Sequence, residues 1–473
     1  MAPDENPYLR IVNERLKPVY RKMKQTSHAL NIIGAGLAGS LLSVLLAQRG
    51  YKVHVFERRP DMRRERVDAG RSINLALSAR GMHALSHAGM LESVMEVAIP
   101  MYGRMMHNEG GELTFQPYSK DRSNCIYSVS RAELNIRLMN MTEPHPHVSY
   151  RFNCLAESID ERSGAVELRD LVSGERFEAP GRVTLACDGA YSAVRYDLQK
   201  MPRFNLSQEH LDYGYKELTI PPAANGDFCM DPHALHIWPR GNFMMIALPN
   251  QDTSFTCTLF MPFTGADSFE RLDTREAVQA FFDAKFPDAV PLMPELAKEF
   301  FENPTGSLVT IRCFPWAAGG SVLLLGDAAH AIVPFFGQGM NAAFEDCSVL
   351  LNCIDETGPE WRAVFEAFQA RRKPDADAIA DMALENFIEM RDLVADEAFL
   401  KRKQLEHALE RHFPQYKSRY EMVSFSRIPY AEAYRRGEIN RRMLDELMRN
   451  APDATHPDWA LAESLLRTHY PAE

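Results

Sequence analysis

Three stretches of the chain bring acids and glycines together at spacings that could bind a charged cofactor. In Gly34-Ala-Gly36-Leu-Ala38-Gly39, the first glycine permits a tight turn, the second lets a pyrophosphate approach the backbone, and the third allows a helix to lie close to a strand. Glu57, 23 residues after Gly34, offers a carboxylate to ribose hydroxyls. An acid there disfavours a ribose 2′-phosphate, so this site suits NAD or FAD better than NADP. The second stretch is Gly326-Asp327-Ala-Ala-His330, followed by Gly337-Gln-Gly339-Met340-Asn341. Asp327 can take the hydroxyls of a ribityl chain, and the backbone N–H groups of 339–341 can face the pyrimidine edge of a flavin. Positive potential at that helix start would stabilise an anionic reduced flavin. This second element decides for FAD. The third stretch is Cys187-Asp188-Gly189 with Arg195 close behind. Arg195 can fix the turn or meet a phosphate, and a turn held by an Asp188–Arg195 pair is the plainer alternative.

The elements that must position these groups are legible from periodicity. Residues 29–33 form a buried apolar run, 37–49 carry apolar residues at helical spacing, Gly50 sits where a helix ends, and 51–56 form a second strand. Together they make a βαβ unit. Helical faces are expected over 80–96 and 131–140. Short antiparallel strands are expected over 148–182, with turns at Ser163-Gly164 and Ser173-Gly174, then a buried strand at 182–186. Residues 203–263 are rich in aromatic and β-branched residues and read as a second sheet. A helix near 274–286, a buried strand at 321–325 and helices from Gln338 onward complete the pattern. The expected fold class is α/β: a Rossmann-type FAD-binding domain interleaved with a sheet-rich substrate domain, then a helical C-terminal region. The expected boundaries are an N-terminal extension at 1–28, a discontinuous FAD-binding domain at 29–200 and 310–357, a substrate domain at 201–309, helices at 358–450 and a polar tail at 451–473.

Composition narrows the class. The 473 residues are 45% hydrophobic and 25% charged, typical of a globular protein, and too many for one ordinary core. The net charge of −11 and scattered basic residues leave no footprint for nucleic acid. The eight cysteines show no C-x-x-C pair or metal-ligand cluster and read as reduced, buried thiols of a cytoplasmic protein. No run is long and apolar enough for a membrane span, and residues up to Gln25 lack the apolar core of a signal peptide. That segment reads as a frayed terminus in preference to an amphipathic helix.

The three motifs, in this order, resemble those of class A FAD-dependent aromatic hydroxylases. Within that class, Gly70-Arg-Ser-Ile-Asn-Leu-Ala-Leu-Ser, Leu235-His-Ile-Trp-Pro-Arg, Phe243-Met-Met-Ile-Ala-Leu-Pro-Asn and Val333-Pro-Phe-Phe-Gly-Gln-Gly-Met-Asn are similar to the kynurenine 3-monooxygenase family. The resemblance spans about 29–435. It implies FAD as cofactor and NADPH as a co-substrate that visits transiently, since only one Rossmann fingerprint exists. It further implies O2 as oxidant and hydroxylation of L-kynurenine at the ring 3-position through a flavin C4a-hydroperoxide. By this resemblance Arg104 and Tyr430 hold the substrate carboxylate and Tyr118 and Asn386 add contacts; Phe335 and Phe336, just before the glycine loop, can supply an apolar wall near the flavin ring or pack in the core. Arg58, Arg59, Ala76, Arg131, Leu155, Asp188 and Met340 join Gly34, Gly36, Ala38, Gly39, Glu57, Asp327, Gly339 and Asn341 in the implied cofactor set. His330 is read as structural, because this chemistry needs no histidine base. The apolar C-terminal membrane segment of eukaryotic members has no counterpart here, so an anchor is not carried over. Two other readings stay open: a class A hydroxylase with a different substrate, and a non-redox binding module on the same fold, which would be colourless.

Overall fold

Strand Leu30–Ile33 is buried along its whole length, as a run of four residues without a polar face must be when a sheet is covered on both sides. It lies between Val53–Phe56 and Val183–Ala186, parallel to both, with Ile33 opposite Phe56 and Ala186. In the computed structural model, which describes residues 29–64, 74–118, 124–358, 360–389, 397–450 and 457–470, these strands are the centre of a six-stranded sheet. Its order is Ala317–Ala318, Val322–Leu324, Val183–Ala186, Leu30–Ile33, Val53–Phe56, Val148–Arg151. Only Ala317–Ala318 runs antiparallel to its neighbour. The C-terminal ends of four adjacent parallel strands therefore deliver Gly34, Glu57, Asp188 and Gly326-Asp327 to one edge, where ligands of open α/β sheets bind.

The strand at 148–151 departs from expectation. It was expected to be antiparallel, but it pairs in parallel with Val53–Phe56, because helix Arg131–Asn140 returns the chain to the same side of the sheet. The antiparallel set is confined to Cys154–Ile159, Val166–Asp170 and Arg176–Glu178, with Gly164 and Gly174 turning at positive φ.

A seven-stranded sheet forms the second layer, in the order Gly306–Phe314, Asn205–Ile220, Phe255–Pro262, Met244–Pro249, Leu235–Pro239, Gly103–His107, Leu113–Pro117. Helices Arg275–Lys285 and Leu296–Glu302 cover one face through Val278, Phe282 and Phe300, packed against Leu218, Trp238 and Phe255. Met244 and Phe260 on the other face meet Phe335, Phe336, Ala383 and Phe387. Membership of this sheet does not follow the expected boundaries. Two strands between 103 and 117 come from the stretch assigned to the FAD-binding domain, and Gly306–Phe314 crosses position 310. The parallel partner of Gly103–His107 lies more than a hundred residues away, at Leu235–Pro239, and local periodicity carries no information about such a pairing.

The helical region extends past 450. Helix Trp459–His469 buries Ala462 and Leu466 against Leu405, Leu409, Met443 and Leu447, so the expected polar tail is in part an amphipathic helix. The expected N-terminal extension, Gly70 to Ile73 of the quoted motif, and residues 451–456 and 471–473 lie outside the described residues. Among the described residues no helix is long and apolar enough to cross a membrane. All eight cysteines are free thiols.

Candidate active site

At the strand ends, each glycine of the first motif meets a different constraint. Gly34 has φ +97°, and a Cβ on it would lie 2.5 Å from the Cys187 carbonyl oxygen; one on Gly39 would lie 2.0 Å from the Gly34 carbonyl oxygen. Beside Gly36 there is nothing within 4 Å. The two outer glycines are thus demanded by the protein, and the middle one faces space. Helix Leu37–Gln48 starts there with no side-chain cap and no acid in its first turn, leaving N–H groups for an anion.

Glu57 is buried, and its Oε2 accepts from the Ala35 N–H at 2.8 Å while Oε1 accepts from the Arg59 N–H (3.0 Å) and Arg59 Nε (2.9 Å). Burial alone would raise its carboxyl, but the Arg59 guanidinium and these N–H groups more than offset that and hold it below the usual range. It stands as an ionised acceptor with lone pairs to spare. Arg58 is exposed beside it, and Leu155 is half-buried in the strand whose Cys154 N–H donates to the Glu57 carbonyl at 2.9 Å.

Asp188 accepts from Ser192 Oγ at 2.6 Å and the Val194 N–H at 3.3 Å, while desolvation pushes its carboxyl up. Arg195 makes no ion pair with it. The guanidinium donates to the Ala328 and Ala190 carbonyls at 2.8 and 2.5 Å, tying the Asp188-Gly189 loop to the Gly326-Asp327 loop.

Asp327 is exposed at its strand end. The loop carrying it hangs on Asp346, a residue whose role the sequence did not announce. Asp346 Oδ2 accepts from the Gly326 N–H (2.9 Å) and from His330 Nε2 (2.6 Å), and Oδ1 accepts from Arg372 Nε (2.7 Å). Arg372 and Arg80 both donate to Glu345, at 2.7 and 2.6 Å. Burial would raise the Asp346 carboxyl, yet His330 and Arg372 bring it down to about 2. Ala38 lies where helix and loop converge, 3.5 Å from a Cβ placed on Gly326. The Asn341 side chain, fully buried, accepts from the Ser78 N–H and donates to the carbonyls of Ala76 and Gly337. It locks the glycine loop onto strand Asn74–Leu77 and leaves only its backbone for a ligand. Gly339 and the buried Met340 begin the same helix, and Arg131 is exposed at the start of Arg131–Asn140.

On the seven-stranded sheet, the Arg104 guanidinium sits 5.9 Å from the Tyr118 ring centroid and 5.0 Å from that of Tyr420. Tyr118 stacks on Tyr420 at 5.3 Å, and Tyr420 on Phe336 at 5.7 Å. Arg104 Nε and the Tyr118 hydroxyl are buried without a hydrogen bond of good geometry, although the Arg104, Tyr118 and Tyr420 side chains interact with one another. Buried donors left this way cost on the order of 1 to 3 kcal/mol each, which a carboxylate between them would recover. Asn386 Nδ2 donates to the Phe335 carbonyl at 2.7 Å, fixing the aromatic wall where Phe335 stacks on Phe387 at 4.4 Å.

Tyr430 does not join this group. Its hydroxyl donates to Gln338 Oε1 at 2.9 Å, and its ring lies 3.7 Å from the Arg80 guanidinium carbon. Tyr420, ten residues earlier, is the tyrosine that meets Arg104. Short helix Arg419–Ser424, capped by Ser418, presents Tyr420, whereas Tyr430 starts helix Tyr430–Asn450 among the buried ions. Both tyrosines flank Phe425-Ser-Arg-Ile-Pro, and nothing in residue type separates them.

Residues 26–383 match the family model described as FAD binding domain. The chain is 52% identical over 440 residues to the kynurenine 3-monooxygenase of Myxococcus xanthus, covering 93% of this chain and 95% of that protein. It is 48% identical over 455 residues to the kynurenine 3-monooxygenase of Dictyostelium discoideum, covering 93% and 98%. Among solved structures, 2-methyl-3-hydroxypyridine-5-carboxylic acid oxygenase superposes with a TM-score of 0.63 at 20% identity, over 80% of this chain and 96% of that one, a likeness of fold. With identity sustained over nine-tenths of its length, the chain belongs to the kynurenine 3-monooxygenase family of FAD-dependent monooxygenases.

Proposed function

We propose that the protein hydroxylates L-kynurenine at the ring 3-position to give 3-hydroxykynurenine, consuming NADPH and O2. The observation that carries the substrate reading is the pair of buried donors, Arg104 Nε and the Tyr118 hydroxyl, which lack a well-formed hydrogen bond and lie beside the aromatic cluster of Tyr420, Phe425 and Phe336. An aromatic amino acid supplies a carboxylate for the donors and a ring for the wall.

FAD, when bound, would accept the reducing equivalents of NADPH and activate O2 for transfer of one oxygen atom. The cradle proposed for it consists of Gly34, Gly36, Ala38 and Gly39 with the helix N-terminus at the pyrophosphate, Glu57, Arg58, Arg59 and Leu155 at the adenosine end, and Asp188, Asp327, Arg131, Ala76 and the backbone of 339–341 along the rest. Asp327, exposed and without a protein partner in the cradle, fits a hydroxyl-bearing chain, and the open space at Gly36 fits a phosphate. The chain's remaining tasks are binding and exclusion of water. Arg104 and Tyr118 fix the carboxylate end, Tyr420 and Phe336 supply the apolar wall for the ring, and Asn386 holds Phe335 in place. The substrate's own ring amine activates the carbon to be hydroxylated, so binding geometry and a dry pocket bear most of the burden.

The direct test is incubation of the flavin-loaded protein with NADPH, O2 and L-kynurenine, with mass-spectrometric identification of the product. A product one oxygen atom heavier, formed with stoichiometric NADPH oxidation and not from phenolic acids, supports the reading; turnover of phenolic acids alone overturns it. Arg104→Ala should raise the KM for L-kynurenine on the order of 100-fold, the loss of a charge-assisted bidentate contact, with the flavin still bound.

A further inference from the structure

Helix Ala79–His87, which follows strand Asn74–Leu77, carries Arg80 into the interior, where its side chain is fully buried. A guanidinium this far from water persists only where its charge and its N–H groups are answered. Nη1 donates to Glu345 Oε1 at 2.6 Å, Nη2 donates to the Ile428 carbonyl, and the guanidinium carbon lies 3.7 Å from the Tyr430 ring centroid. Glu345 Oε2 accepts from Arg372 Nη1 at 2.7 Å, and the same nitrogen is 3.3 Å from Asp375 Oδ2. Asp375 Oδ1 in turn accepts from the Ala431 N–H at 3.0 Å.

Ile428 and Ala431 bracket the end of one turn. Residues 426–429 belong to neither helix nor strand, so no ladder holds them in place. Within the turn, Ser426 Oγ donates to the Met422 carbonyl at 2.6 Å and accepts from the Ile428 N–H at 3.2 Å. These ties are local and move with helix Arg419–Ser424. Among the described residues, the polar contacts that anchor the turn to distant parts of the chain are Arg80 on Ile428, Asp375 on Ala431 and, at the surface, Arg427 Nη1 on His83 Nε2 at 2.6 Å.

What the turn holds is the end of a helix of six residues, too short to be stable by itself. Its N-terminal end is tied down by Arg419 Nη1 on Glu385 Oε2 at 2.5 Å. Its C-terminal end runs into the turn at Phe425, whose ring lies 6.0 Å from Tyr118 and 5.9 Å from Tyr420. On the far side of the ion cluster, Arg372 Nε donates to Asp346, the acceptor of the Gly326 N–H. Two adjacent acids of one helix therefore serve two loops: Asp346 the one that carries Asp327, and Glu345, through Arg80, the one that begins at Phe425.

We infer that Arg80 is a positioning residue for the substrate pocket: it pins the turn 426–429 and thereby seats Tyr420 and Phe425 beside Arg104 and Tyr118, from the same buried ions that hold the cofactor loop. Lysine keeps the charge but lacks the planar fork that reaches a carboxylate and a carbonyl at once while lying over a ring. This role rests on the reading of the Arg104 and Tyr118 cluster as the substrate pocket.

The test uses the full-length, flavin-loaded protein. In Arg80→Lys, amide hydrogen exchange over residues 425–431 should quicken at least tenfold or so. The KM for L-kynurenine should rise about tenfold, the loss of one hydrogen bond from a charged donor, with kcat within about twofold and the flavin spectrum unchanged. Should Arg80→Lys fail to fold, Glu345→Gln, which keeps an acceptor oxygen for Arg80 but removes the charge, carries the same expectations. The parent offers a measurement that needs no variant: the Ala431 amide, in the first turn of helix Tyr430–Asn450 where no helical partner exists, should exchange as slowly as the helix interior. Exchange at the rate of an open helix end would overturn the anchoring of the turn. Unchanged KM in Arg80→Lys alongside a raised KM in Arg104→Ala sinks the positioning role alone. If Arg104→Ala leaves KM unchanged, the pocket reading and the positioning role fall together.

Discussion

At the scale of single residues, the sharpest contrast lies between two tyrosines ten positions apart. Tyr420 shares its environment with the Arg104 guanidinium and the Tyr118 ring, so Tyr420→Ala should raise the KM for L-kynurenine by about tenfold or more through loss of the aromatic wall. Tyr430→Phe removes only a buried hydroxyl that donates to Gln338. It should cost about 1 kcal/mol of stability and leave KM near the parent value; steady-state kinetics and urea unfolding of both variants check the pair. A Tyr430→Phe variant with the larger KM effect would restore Tyr430 to the substrate site. The sequence pointed to Arg104 and Tyr118 through family motifs, and the structure brings them together. The family motifs named Tyr430 and passed over Tyr420, because which of the two meets Arg104 depends on which way the chain turns around Ile428-Pro429.

At the scale of elements, the turn from strand Leu30–Ile33 into helix Leu37–Gln48 separates what the fold needs from what the cofactor needs. A methyl group on Gly39 would collide with the Gly34 carbonyl, whereas one on Gly36 meets no protein atom. Gly39→Ala should therefore lower the melting temperature of the flavin-free protein, while Gly36→Ala should leave it unchanged and weaken FAD binding at least tenfold or so. Equal melting of the two flavin-free variants would contradict this division. The loop bearing Asp327 depends on helix Gly339–Thr357 in a comparable way, through Asp346. Since the folded carboxyl of Asp346 is near 2 and an unfolded aspartate titrates near 4, its contribution is complete above the unfolded value and is lost as pH falls from about 4 towards 2. Asp346→Asn should destabilise the protein at neutral pH by about 3 to 5 kcal/mol, the cost of leaving buried Arg372 and His330 without their shared partner. The difference from the parent should shrink in acid, as unfolding followed at pH 7 and pH 3 would show; a difference independent of pH would remove Asp346 from this role. The motif around Gly326 was readable in the sequence, but the buried acid that anchors it was not. Asp346 sits among ordinary helical residues, and its partners Gly326 and Arg372 lie 20 and 26 positions away.

At the scale of the whole molecule, what sequence reading captured was local, and what it missed was which distant segments share a layer. The βαβ unit, the two glycine-bearing loops and the capped helix Arg131–Asn140 follow from patterns within a few dozen residues. The assignment of Gly103–His107 and Leu113–Pro117 to the second sheet, which is what brings Arg104 to the pocket, follows from pairing across the chain. The C-terminal end shows the same limit in a form that can be tested. Residues 457–470 average as polar, yet Asp458 caps helix Trp459–His469 by accepting from the Leu461 N–H at 2.9 Å, and Trp459 stacks on His412 at 4.2 Å. Ala462 and Leu466 then close a core built by Glu397–His412 and Tyr430–Asn450. Removing residues beyond Asn450 should uncover Leu409, Met443 and Leu447 and cost about 3 kcal/mol or more, from the buried aliphatic and aromatic area lost. That core contains none of the residues assigned to FAD, so the truncated protein should remain yellow with an unaltered flavin spectrum while melting earlier. Lys403, on the helix that loses its cover, pairs with Glu389 at 3.3 Å, and Glu389 in turn favours the charge of Arg104. The KM for L-kynurenine should therefore rise in the truncated protein while flavin content does not change. Loss of flavin with unchanged KM would mean that the C-terminal helices serve the cofactor domain instead of the pocket.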